Sequence, residues 1–63
     1  MLGKVCYIKS DLTKEKYIIF NSFYNNEVLE IIGVNKTNRG KILHLRGEEV
    51  EIDLNSQAVI DTL

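Results

Sequence analysis

The 63-residue chain has no proline and no tryptophan, one cysteine, one histidine, and four glycines that never cluster. A lone cysteine excludes a disulfide framework, and without a group of Cys and His there is no structural zinc site. Dispersed glycines exclude a phosphate-cradling loop. The first ten residues, MLGKVCYIKS, lack an apolar core long enough for a signal peptide or a membrane span. Together with the unpaired Cys6, this points to a reducing, cytoplasmic setting. Asn35-Lys36-Thr37 matches the glycosylation pattern, but without a secretory signal it reads as a polar turn. No cofactor is implied.

A chain this short is one domain, residues 1–63, and it folds to bury only about 60% of its extended surface. Small domains with so thin a core usually add a disulfide, a metal or a partner chain. The first two are missing, so self-association, as a homodimer, is the expectation that remains.

With Val, Ile, Tyr and Phe outweighing Ala, strand formers dominate. No stretch carries a 3.6-residue apolar period with caps at both ends, and no repeat or linker interrupts the chain. The pattern predicts strands over Gly3–Lys9, Lys16–Tyr24, Glu27–Val34, Lys41–Arg46, Glu49–Leu54 and Ala58–Thr62. Asn55-Ser56-Gln57 suits a turn of 3₁₀ helix, and a helix over Ser56–Leu63 capped by Asn55 is the rival to the last strand.

Two hairpins can be put in register. A two-residue turn at Asn25-Asn26 pairs Phe23 with Val28, Asn21 with Glu30, Ile19 with Ile32 and Tyr17 with Val34. Ile18, Phe20, Leu29 and Ile31 then share the other face, so both faces of this hairpin are apolar. That is the pattern of a strand pair covered on both sides, by its own chain or by another molecule. A turn at Gly47-Glu48 pairs Arg46 with Glu49, Leu45 with Val50, His44 with Glu51 and Leu43 with Ile52. It sends Leu43, Leu45, Val50, Ile52 and Leu54 to the core, with Ile42 as the exception.

The same register disposes of the acidic run GEEVEID as a catalytic or metal site. Carboxylates at alternate strand positions stand about 7 Å apart, too far to converge on a hard cation, and two of them face a basic residue. His44 has Glu51 as partner and no nucleophile placed by sequence, and Cys6 reads as a small buried hydrophobe. The chain is read as non-enzymatic.

The strand order, with a closing strand after a long meander, resembles the SH3-like and Sm-like small barrels. The expected fold is therefore all-β, a five- to six-stranded antiparallel SH3-like/Sm-like barrel or meander. The resemblance covers the whole chain as an architecture. The acidic and aromatic peptide groove of signalling SH3 domains and the Sm signature are both absent, so it assigns no residue a role.

Two binding functions follow. The first is a protein-interaction module, a bacterial or phage accessory or regulatory protein, using Tyr17, Phe20, Phe23, Tyr24 and Leu29. The second is a nucleic-acid-binding barrel using Lys36, Arg39 and Lys41 of the turn NKTNRGK, supported by Lys4, Lys9, Lys14, Lys16 and an exposed tyrosine or two for stacking. A structural subunit of a larger assembly is the third. Charge is split along the chain. Residues 1–47 hold all eight Lys and Arg against four acids, net +4, whereas residues 48–63 hold five acids, net −5. The overall charge of −1 favours the protein partner.

Overall fold

The computed structural model describes residues 2–56. Five antiparallel strands form one sheet: β1 Val5–Ile8, β2 Tyr17–Phe23, β3 Val28–Gly33, β4 Ile42–Arg46 and β5 Val50–Asp53, in the order β4-β3-β2-β1-β5. A 3₁₀ turn, Gly47–Glu49, links β4 to β5.

The β2–β3 hairpin starts as its turn residues dictate. Asn25 and Asn26 take φ of 54° and 72°, and Glu27 N–H donates to the Tyr24 carbonyl at 3.1 Å. Asparagine tolerates this left-handed geometry because its short amide bonds locally. Phe23 faces Val28 and Asn21 faces Glu30, as predicted, but β2 then carries one extra residue, Phe20. Beyond this bulge Ile19 faces Ile31 and Tyr17 faces Gly33, where the sequence reading has Ile32 and Val34. The bulge falls where β2 leaves its other neighbour. Ile19 N–H still donates to the Lys4 carbonyl, and its own carbonyl accepts from Gly3 N–H. The shift sets Ile19 in line with Leu29 and Ile31 on the inner face.

That inner face is the core. Cys6, Tyr17, Ile19, Leu29, Ile31 and Val50 are buried, and half-buried Ile8, Leu43, Leu45 and Ile52 pack against them. Each large aliphatic side chain buried there contributes about 1.5–3 kcal/mol.

The predicted β4–β5 hairpin does not form. Gly47 N–H donates to the Glu27 carbonyl at 2.9 Å, which extends the β3–β4 ladder by one residue. A Cβ on Gly47 would stand 2.4 Å from the Asn26 carbonyl oxygen, so only glycine fits this approach. The 3₁₀ turn then carries the chain to the far side of the sheet, where β5 pairs with β1: Ile8 with Val50, Cys6 with Ile52. This pairing wins because it brings Val50 and Ile52 beside Cys6 and Ile8 and completes the core. Leu54, expected inside, is 64% exposed. Glu51 lies opposite Tyr7, and Asp53 opposite Val5.

Ser56 pins the end of β5 to the start of β1. Its N–H donates to the Asp53 carbonyl and its Oγ accepts from Val5 N–H at 2.8 Å, while Lys4 Nζ donates to the Leu54 and Ser56 carbonyls. The expected last strand, Ala58–Thr62, and its helical rival lie outside the described residues apart from Ser56 itself.

Candidate interaction surface

Cross-strand pairing places three rows on the outer face of β2–β3–β4: Ile18, Ile32 and Ile42; Asn21, Glu30 and His44; Phe23, Val28 and Arg46. Ile18 is buried within its row, whereas Ile42 is exposed at the edge. Phe20, the bulge residue, is exposed beside Asn21. The surface thus has apolar flanks and a polar centre.

The centre is a hydrogen-bonded set. Glu30 accepts from Asn21 Nδ2 at 2.9 Å through one carboxylate oxygen, and its other oxygen bonds His44 Nε2. His44 is therefore held by Glu30, not by Glu51 as the hairpin reading has it. The bond to His44 is the largest influence on Glu30 and holds its carboxyl below the ordinary range; the bond from Asn21 acts in the same direction.

At the end of this face, Tyr24 is 77% exposed and takes φ of 52°. A bulky residue in the left-handed region is strained. Tyr24, Asn25, Asn26, Glu27 and Val28 line one wall of an open cleft of about 680 Å³, and Arg46, Gly47 and Glu48 line the other. The 3₁₀ turn shapes that second wall. Glu49 reaches back to accept from Arg46 N–H at 3.2 Å, and Arg46 lies 3.8 Å from Glu48.

The residues picked from sequence are divided by the structure. Phe20, Phe23 and Tyr24 are exposed at 37%, 41% and 77%. Tyr17 and Leu29 are core residues, at 2% and 0%, and cannot touch a partner. Alternation along β2 and β3 made one face or the other core, and the bulge at Phe20 puts Tyr17 and Ile19 on the same side as Leu29 and Ile31. Lys36, Arg39 and Lys41 are exposed on the β3–β4 loop. Ile42, Asn21 and Glu30 were missed. Their signal was the cross-strand row they form, which a wrong neighbour for His44 hid.

Cys6 is fully buried, and desolvation pushes its thiol up to about 11, far from a reactive thiolate. Among the described residues no cluster of three His, Cys, Asp or Glu could hold a metal, and no helix is long and apolar enough to cross a membrane. No family model matches the chain, and neither a curated protein nor a solved structure matches it.

Proposed function

We propose that the chain is a small SH3-like barrel module without catalytic activity, which binds a protein partner through the outer face of β2–β3–β4 and the adjoining Tyr24 cleft. The return of β5 to lie beside β1 supports the SH3-like reading. Tyr24 carries the functional one: a strained backbone that holds a large aromatic side chain out in solvent is kept against a stability cost. Phe20 and Phe23, exposed along β2, supply rigid apolar area, and aromatic side chains are the kind on which interface energy concentrates. The Asn21–Glu30–His44 set supplies fixed polar contacts. Protein-partner binding also accommodates the negative overall charge.

The test compares affinity capture from the native host by the wild type, Phe23→Ser and Tyr24→Gly. A partner held by the wild type and lost by both variants supports the reading. Tyr24→Gly should at the same time raise stability by up to about 1 kcal/mol, because glycine relieves the left-handed strain. A partner retained equally by all three proteins would sink it. Sedimentation equilibrium on the purified chain shows whether that partner is a second copy.

A further inference from the structure

The β1–β2 loop, residues 9–16, and the β3–β4 loop, residues 34–41, are fastened together at one end of the sheet. Asn38 does most of this. It is 4% exposed, donates through Nδ2 to the Lys16 carbonyl at 3.1 Å, and accepts at Oδ1 from Asn35 N–H at 2.8 Å. Val34 N–H also donates to the Lys16 carbonyl, and Thr37 Oγ1 donates to Glu15. Fastening the loops brings Lys14 and Lys16 to the same end as Lys36, Arg39 and Lys41.

All five cations are exposed, and among the described residues none of them is in an ion pair. Two acids share this end: Asp11 accepts from the Thr13 N–H and hydroxyl and lies close enough to Lys41 for their charges to interact, and Glu15 accepts from Thr37, so the five cations outnumber the acids five to two. Within the Asn35–Gly40 turn, the N–H groups of Lys36, Thr37 and Arg39 meet no acceptor among the described residues. Backbone donors beside Lys and Arg, on loops already fixed in place, are what a phosphate requires. No aromatic residue lies in residues 11–16 or 35–41, so nothing there can stack on a base.

The geometry points to a nucleic-acid backbone site at this end of the molecule, one that holds phosphates without reading sequence. It uses a surface separate from the outer face of β2–β3–β4, so the chain would join a protein partner at one place to a polyanion at another. Leu12, 89% exposed in the first loop, is the one feature that suits an anionic bilayer instead. A single leucine adds little to membrane affinity, and the fixed loop geometry favours a stiff ligand over a fluid one.

Fluorescence anisotropy with labelled mixed-sequence duplex DNA of about 24 base pairs tests this, a length that exceeds the contact surface of so small a domain. Vesicles of phosphatidylcholine and phosphatidylserine form a parallel arm. Three to five phosphate contacts should weaken binding by about 40- to 500-fold between roughly 50 and 200 mM salt. Lys36→Ser/Arg39→Ser/Lys41→Ser should lower the log-log salt slope by about 2.7 with the amide NMR spectrum otherwise retained, while Phe23→Ser leaves DNA binding unchanged. A scrambled duplex should bind equally well. The proposal is overturned by no binding at about 50 mM salt, by binding that the triple variant keeps, or by vesicle binding without DNA binding. Loss of DNA binding would leave the Tyr24 surface untouched, and the reverse also holds.

Discussion

The backbone of Asn38 occupies the space that a side chain at Gly33 would need. A Cβ built on Gly33 would lie 2.1 Å from the Asn38 carbonyl oxygen and 2.5 Å from its side-chain Cγ. Gly33 N–H donates to the Lys41 carbonyl and its own carbonyl accepts from Gly40 N–H, so the strand cannot move aside without breaking the loop closure. Glycine is required here by the close approach of another backbone, and the fastened loop end depends on it.

Gly33→Ala should accordingly cost about 1–3 kcal/mol, read as a lowered urea midpoint at unchanged m-value. Asn38→Ala, which leaves Asn35 N–H without an acceptor and the Lys16 carbonyl with only the Val34 N–H, should cost about as much. Because either change releases the same loop, the double variant should lose less than the sum. Strict additivity would show that the two residues do not act as one unit.

The Glu30–His44 bond predicts a sign for the acid response. A carboxyl held below its ordinary value stabilises the fold fully above the unfolded value near 4.5, and that contribution is lost as pH falls through the lower folded value. Asp11, lowered chiefly by the Thr13 hydroxyl, behaves in the same direction, so the wild type alone does not isolate Glu30. The comparison with Glu30→Gln does. The melting temperature of the wild type should exceed that of the variant at pH 6, and the gap should close as pH falls from about 4.5 through the lower folded value. A gap constant over that range would mean that the carboxylate gains nothing from His44 and Asn21.

Local chemistry was legible in the sequence, and long-range choices were not. Asn25-Asn26 gave the β2–β3 turn and the first pairs beside it, because both residues tolerate left-handed backbone. Gly47 marked a change of direction, but the cross-strand pair of Arg46 with Glu49 expected there does not form. The bond between them is a cap on a 3₁₀ turn, from Arg46 N–H to the Glu49 carboxylate. What selects β1 as the partner of β5 is the shared core of Cys6, Ile8, Val50 and Ile52, whose members are more than forty positions apart. The Phe20 bulge was hidden for a similar reason, since Ile18, Ile19 and Phe20 are equally apolar and only the departure of β2 from β1 separates them. Asn38 looked like any other polar turn residue. Nothing in NKTNRG distinguishes the one asparagine that is buried.

The placement of β5 beside β1 also sets the order in which the molecule can assemble. The β2–β3–β4 meander joins sequence neighbours through short loops, so its closure entropy is small. Pairing Val5 with Asp53 closes a loop of 48 positions, and this costs most before it gains anything. The meander should therefore be formed in the folding transition state and the β1–β5 ladder should follow it. In stopped-flow experiments, Ile52→Val would chiefly accelerate unfolding, whereas Ile31→Val would chiefly slow refolding. The opposite pattern would place the end-to-end ladder in the nucleus. On the predicted course, a chain stalled before the ladder closes would expose the inner side of β1, an unpaired edge beside Cys6, and that edge would be the point at which one molecule captures another.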